Sequence, residues 1–133
     1  MAFSSLVLAV SQLLLGQWQF YKMIYQGQEM PPRDSNLVLQ YTFEESGVSR
    51  LKWSYKNDSK FHCERIGQFS FDESNFYDKV TWVNPDNSVQ CGSDPDMQLG
   101  RISQVPYSIV EGDLFTKIPL NGEVIYYVWK RIE

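Results

Sequence analysis

The chain has 133 residues, the size of one domain that can bury a hydrophobic core without several cross-links. Hydrophobic residues make up 43% of it, charged residues 21% and aromatic residues 15%, with only eight Gly and six Pro, which excludes an intrinsically disordered chain. Twelve basic against sixteen acidic residues give a net charge of -4 without a long run of either sign, so no nucleic-acid partner is expected.

Residues 1–15, MAFSSLVLAVSQLLL, are strongly apolar and admit two interpretations. In the first they form a short helix packed on the domain, because Ser4 or Ser5 can cap it and apolar residues recur at helical spacing. In the second they are the remnant of a secretory signal, although no Lys or Arg precedes the apolar run. A stretch of about fifteen residues is shorter than the roughly twenty that span a bilayer, so no transmembrane segment is expected.

From Gly16 onward the hydrophobic period changes to two, and residues that favour turns divide the chain into short segments, which is typical of an all-β domain. Alternation is clearest in residues 37–44 and 50–56, where one face of each strand is predicted to point inward and the other toward water. The eight predicted strands are residues 17–25, 37–44, 50–56, 61–69, 78–83, 98–104, 114–118 and 124–132.

Short connections rich in turn residues separate several of these strands. Residues 45–47 and 56–59 are two of them, and Asn121-Gly122 in a third is the strongest hairpin signal in the chain. Neighbouring strands are therefore predicted to be antiparallel. Eight such strands can remove their exposed edges by closing, so we predict an eight-stranded antiparallel up-and-down barrel over residues 16–133.

Two sites at opposite ends of the chain carry a family resemblance. Gly16, Gln17 and Trp18 at the start of the first strand resemble the G-x-W motif of lipocalins, in which a helix closes one barrel end and the Trp packs there. Arg131 resembles the basic residue that lies across that Trp in lipocalins, where a guanidinium stacked on an indole gains cation–π attraction. The resemblance implies a lipocalin-like barrel of the calycin superfamily, here without a T-D-Y-like second motif.

The two cysteines, Cys63 and Cys91, allow one intramolecular pairing. A disulfide would contribute about 3 to 4 kcal/mol and would imply an oxidising compartment, so that the protein would be periplasmic or secreted. Two free, buried thiols would instead indicate a cytoplasmic protein. We favour the disulfide, because Cys91 lies in a segment rich in Gly, Ser and Asp.

No catalytic or metal-binding constellation is predicted, no cofactor is expected, and we expect the protein not to be an enzyme. His62 is the single histidine, and on a strand it would point away from the adjacent Cys63, so the two cannot share a hydrogen bond without a bulge and no dyad is expected. Neither cysteine has a second ligand at C-x-x-C spacing. Residues 94–96, Asp-Pro-Asp, lack the further oxygen ligands of a calcium loop and are expected to be a solvated turn.

Arg65 and Arg101 share strand parity with neighbouring apolar residues, so both are predicted to point into the interior. A buried Arg needs an anion, which is either Glu64, Glu73 or Asp78 of this chain or the carboxylate of a bound ligand. Aromatic residues would supply the apolar wall. The predicted ligand-binding residues are Trp53, Tyr55, Arg65, Trp82, Arg101, Phe115 and Tyr126.

Three functions fit such a barrel. The first, which we favour, is a monomeric carrier or sensor of a small hydrophobic molecule, neutral or anionic, in the barrel interior. The second is a filled barrel whose loops bind another protein, for example as an inhibitor, with residues 31–32 and 76–77 as candidate contacts. The third is an isomerase or lyase on a calycin scaffold, which would use Arg65, Glu64 or Arg101. Fold alone does not decide among them.

Overall fold

The computed structural model describes residues 13–132. Nine strands account for most of them, and two short 3-10 helices, Val89–Ser93 and Pro95–Met97, lie in the connection between the sixth and seventh strands. The strands are β1 (Gly16–Tyr25), β2 (Gln28–Met30), β3 (Leu37–Phe43), β4 (Val48–Tyr55), β5 (Asp58–Phe71), β6 (Asn75–Val83), β7 (Ile102–Val110), β8 (Asp113–Leu120) and β9 (Glu123–Ile132).

The sheet closes on itself. From β3 to β9 each strand pairs antiparallel with the next, and β1 pairs with both β3 and β9, which makes a closed barrel of eight strands. The three-residue β2 pairs only with the end of β1 and lies beside the barrel. The prediction of an eight-stranded antiparallel up-and-down barrel is therefore confirmed.

The bounds of β7 differ most from the prediction, which ended this strand at Gln104, before Pro106. Pro106 instead lies inside β7, at the last position that pairs with β6. The ladder with β8 begins at the next residue, Tyr107. Since Pro has no backbone N–H to donate, it is tolerated at the point where the strand leaves one neighbour for the other.

The N-terminal segment, residues 1–15, was predicted to be a helix or the remnant of a signal, and residues 1–12 lie outside the described residues. Leu13 and Leu14 are helical, and Leu14 is buried in the core. Within residues 13–132 no helix has the length and apolar character needed to cross a membrane.

Trp18 lies at the end of the barrel where β1 begins, and its side chain is fully buried. Its indole Nε1 donates a hydrogen bond to the carbonyl of Leu14 at 2.9 Å. The guanidinium carbon of Arg131 lies 4.2 Å from the centre of the Trp18 ring. One Arg131 nitrogen, Nη1, also donates to the carbonyl of Leu15 at 2.6 Å. Arg131 thus stacks on the indole and fixes the chain that enters β1, as the lipocalin resemblance implies.

Gly16 makes this approach possible. Its φ of +126° lies in a region that residues with a side chain rarely adopt. A Cβ at this position would lie 2.6 Å from Nη1 of Arg131, so any other residue would displace the guanidinium. The G-x-W motif therefore has two physical reasons here, an indole that fills the closed end and a glycine that admits the arginine.

Candidate ligand-binding cavity

A cavity of about 380 Å³ lies in the barrel interior. It extends toward the end opposite Trp18, where residues 26–36, 56–57, 84–101 and 121–122 connect the strands. Its aliphatic wall consists of Leu37, Leu39, Leu51, Val105 and Ile118. Its aromatic wall consists of Tyr41, Trp53, Tyr55, Phe76, Tyr127 and Trp129. The interior is thus largely apolar and large enough for a small molecule.

Trp53 and Tyr55 project inward from β4 and form an aromatic cluster with Phe61 of β5. The three ring centroids lie between 5.1 and 5.9 Å apart, which is the range of favourable aromatic pairs. The indole Nε1 of Trp53 also donates to Oδ2 of Asp94 at 3.0 Å. This bond joins the aromatic wall to the connection between β6 and β7.

A buried polar cluster borders the cavity on the side of the closed end. Arg65 of β5 lies 2.9 Å from the carboxylate of Asp78 on β6, and their side chains are 4% and 1% exposed. Arg65 also donates to the hydroxyls of Ser49, at 3.2 Å, and Tyr41, at 3.1 Å. Both hydroxyls in turn donate to Asp78, Ser49 at 2.7 Å. Burial and the Asp78 carboxylate raise the pKa of Tyr41, so its hydroxyl stays protonated as a donor.

The buried charge of Arg65 is therefore paired with Asp78, one of the three acidic residues of this chain considered as its partner. Its guanidinium is occupied by Asp78, Tyr41 and Ser49, and its Nε donates to the carbonyl of Asp96 at 3.3 Å. Within residues 13–132 every buried side-chain nitrogen and oxygen has a hydrogen-bond partner. Arg65 lines the cavity, but it offers no unpaired charge to the carboxylate of an anionic ligand.

Gly67 of β5 provides the space for this cluster. A Cβ there would lie 2.6 Å from the Asp78 carboxylate and 2.8 Å from the hydroxyl of Ser49. It would also lie 2.6 Å from the backbone carbonyl of Lys79, which cannot move as a flexible side chain does. Glycine is therefore required by a close approach of neighbouring strands.

We expect Gly67→Ala to lower the free energy of unfolding by about 1–3 kcal/mol, because the added methyl group overpacks the cluster. The matched control is Gly92→Ala, since a Cβ at Gly92 meets nothing within 4 Å. Urea unfolding of both variants beside the wild type tests this. Equal urea unfolding midpoints for the two variants would show that the barrel tolerates a Cβ at Gly67.

Two carboxylates, Asp94 and Asp96, enter the cavity wall from the connection between β6 and β7. Asp94 accepts the indole bond of Trp53, and its other oxygen accepts the backbone N–H of Asp96 at 2.9 Å. Asp96 lies at the rim with its side chain 53% exposed, 3.6 Å from Nε of Arg101. Partial burial of its carboxylate against the barrel, together with the charge of Asp94, raises the pKa of Asp96. Burial and the charge of Asp96 likewise raise the pKa of Tyr127 across the cavity.

Sequence reasoning missed these two residues, because it treated residues 94–96 as a solvated turn. The available signal was Cys91, three positions before Asp94. Cys91 forms the predicted disulfide with Cys63 of β5, with 5.7 Å between the Cα atoms. The bond ties the first 3-10 helix to the barrel, and the chain that follows is thereby held over the cavity.

Three of the seven predicted ligand-binding residues line the cavity, namely Trp53, Tyr55 and Arg65. Trp82 does not, and its side chain is 40% exposed on the outer face. The cause is a bulge in β6. Ile66 pairs with Trp82, whereas the next residue, Gly67, pairs with Val80. The extra residue reverses the alternation of side chains, so Trp82 points outward.

The other three residues also lie outside the lining. Phe115 lies between Leu114 and Thr116, whose buried side chains occupy the inward positions of β8. Tyr126 is 38% exposed, because its neighbour Tyr127 takes the inward position in β9. Arg101 precedes β7 and reaches only Asp96 at the rim.

The residues assigned to the other functional hypotheses can also be placed. Phe76, a candidate exposed contact for a partner protein, is 1% exposed and lies in the core, so that assignment is wrong. Glu64, a candidate catalytic residue, is hydrogen-bonded to Arg50 at 3.0 Å and does not line the cavity. Within residues 13–132 no group of three or more His, Cys, Asp and Glu side chains is placed to hold a metal ion.

No protein-family model matches the chain, and no curated protein matches it. Among solved structures it is similar to a lipocalin-like protein from Bacteroides uniformis, with 15% identity and a TM-score of 0.58 over 90% of this chain and 99% of that one. It is also similar to an uncharacterized protein from Bacteroides eggerthii, with 16% identity and a TM-score of 0.52 over 89% and 98% of the two chains. At such identities the similarity concerns the fold and not the function. The chain is therefore a β-barrel with a lipocalin-like fold.

Proposed function

We propose that the protein binds a small, largely apolar molecule in the barrel, as a carrier or sensor. The observation that carries this proposal is the cavity of about 380 Å³ opposite Trp18. Its volume falls within the roughly 300–1,000 Å³ of typical ligand pockets, and its lining is aliphatic and aromatic with a few placed polar groups. A barrel that served only as a scaffold for binding loops would gain stability by filling this space.

We further propose that binding is not followed by chemistry. An isomerase or lyase needs an acid or base deep in the pocket that is free to exchange a proton with its substrate. The deep ionisable groups, Arg65 and Asp78, are bonded to each other and to two hydroxyls. Glu64 and Arg101, the other candidates, lie outside the lining.

The disulfide between Cys63 and Cys91 supports an oxidising location for the protein, periplasmic or secreted. Pairing of β1 with β9 leaves neither of these strands as an edge of the barrel sheet. A sheet without open edges has few backbone groups for pairing with a second copy, which supports a monomer.

The binding proposal is tested with N-phenyl-naphthylamine, a neutral dye whose fluorescence rises in apolar surroundings. We expect saturable binding to the wild type with one site per chain. Leu39→Trp should weaken binding by about tenfold or more, because Leu39 lines the cavity and the larger ring fills it. The matched control is Val38→Trp, since Val38 is the preceding residue of β3 and its side chain points to the opposite face.

Equal loss of dye binding in the two variants, or no saturable binding to the wild type, would contradict the cavity as the binding site. Native mass spectrometry of protein purified from its own host, followed by extraction of bound material, then identifies the natural ligand.

A further inference from the structure

The charged groups of the cavity wall do not balance one another. Three ionisable residues with formal charge line it, namely Arg65, Asp94 and Asp96. Arg65 is neutralised by Asp78, which lies 2.9 Å away and behind the wall. The two remaining charges are both negative, and both come from the connection that covers one side of the barrel.

Among residues 13–132 neither carboxylate forms a short ion pair with a Lys or Arg side chain. No Lys or Arg nitrogen of residues 13–132 lies within 4 Å of the Asp94 carboxylate. Asp96 has only Arg101, at 3.6 Å, in a pair whose side chains are 45% and 53% exposed. An exposed pair of this length is screened by water and contributes little. Once Arg65 is paired with Asp78, the residues that line the cavity carry net negative charge.

Two carboxylates on the same cavity wall disfavour each other's ionised form. The barrel removes water from one side of Asp96, and Asp94 repels it, and together they raise the pKa of Asp96. A positive group placed between the two carboxylates would relieve the repulsion, whereas the carboxylate of an anionic ligand would add a third negative charge.

Aromatic side chains line the same cavity as these carboxylates. Trp53 is held against Asp94 by its indole hydrogen bond of 3.0 Å, and Tyr55 packs on Trp53 with 5.9 Å between ring centroids. Tyr127 of β9 lines the same cavity; burial and the charges of Asp96 and Asp94 raise its pKa, and the charge of Arg33 lowers it. An ammonium group gains attraction from the face of an aromatic ring, which a neutral or anionic group does not.

We propose that the cavity selects an apolar molecule bearing one amine, with the ammonium group between Asp94 and Asp96 and the apolar body against the aliphatic wall. This inference rests on the proposed function and specifies its ligand class. The anionic ligand allowed by the sequence is disfavoured, because the arginine that would have received it is paired internally.

The test compares three probes with one skeleton, namely naphthylmethylamine, naphthylmethanol and naphthoic acid, by isothermal titration calorimetry at neutral pH and low salt. We expect the amine to bind the wild type about tenfold or more tightly than the alcohol, and the acid to bind more weakly than the alcohol. Asp94→Asn combined with Asp96→Asn should reduce the preference for the amine, measured as the ratio of the amine and alcohol affinities, to about twofold or less.

The matched control is Asp86→Asn, an exposed carboxylate of the same connection that does not line the cavity, and it should keep the full preference. Equal binding of the amine and the alcohol to the wild type, or tighter binding of the acid, would overturn the charge selection while the binding function stands. Binding of none of the three probes would overturn both proposals. The far-ultraviolet circular dichroism spectrum and the urea midpoint of the doubly substituted chain show whether it is folded.

Discussion

Asp78→Ala is expected to lower the free energy of unfolding by about 3–5 kcal/mol, one of the two largest effects of any change considered for this barrel. The substitution leaves Arg65 charged and only 3% exposed, with no carboxylate beside it. It also removes the acceptor for the hydroxyls of Tyr41 and Ser49. A buried charge without its partner costs far more than the net contribution of the intact pair.

A double-mutant cycle measures the interaction energy between Arg65 and Asp78 apart from the other contacts of each side chain. Arg65→Met combined with Asp78→Asn removes both charges and keeps a side-chain oxygen for the two hydroxyls. We expect the doubly substituted protein to lose less stability than the sum of its single substitutions, with an interaction energy of about 1–3 kcal/mol. Urea unfolding monitored by tryptophan fluorescence measures the four proteins of this cycle and the Asp78→Ala variant. A loss below about 1 kcal/mol for Asp78→Ala would mean that the cluster is hydrated rather than buried.

The strand pattern and the closed end could be predicted because their determinants are local. Alternation in residues 37–44 reports burial of one face, and the G-x-W motif places Gly16 and Trp18 at the start of β1. The inward positions of β8 and β9 could not be predicted, because both faces carry large apolar residues. Tyr126 and Tyr127 are adjacent and chemically identical, and only the closed barrel decides that Tyr127 lines the cavity.

The bulge in β6 is a second feature that local sequence patterns do not predict. Strict alternation from the inward Asp78 would place Trp82 inward as well. The bulge adds one residue between Val80 and Trp82, and the alternation reverses there. The register shift lies beside Gly67, where a Cβ would lie 2.6 Å from the backbone carbonyl oxygen of Lys79 on β6. A close contact between the backbones of two neighbouring strands thus accompanies the reversal of a face that local parity alone would assign.

Replacement of both cysteines, Cys63→Ser with Cys91→Ser, should lower the free energy of unfolding by about 3–4 kcal/mol, as expected for a cross-link between residues 28 positions apart. Both sulfur atoms are buried, so two hydroxyls in their place add a desolvation cost to the lost cross-link. Chemical denaturation of the variant, beside the wild type with and without a reductant, measures the loss.

The same replacement tests how the cavity is built. The disulfide anchors the 3-10 helix Val89–Ser93, and Asp94 follows that helix directly. Once this anchor is lost, the carboxylate wall is held by the buried side chain of Met97 and by hydrogen bonds such as that between Trp53 and Asp94, so it should become more mobile. We expect binding of naphthylmethylamine to weaken more than binding of naphthylmethanol, because only the amine depends on the position of Asp94 and Asp96. An equal loss for both probes would show that the disulfide stabilises the whole barrel without positioning this wall.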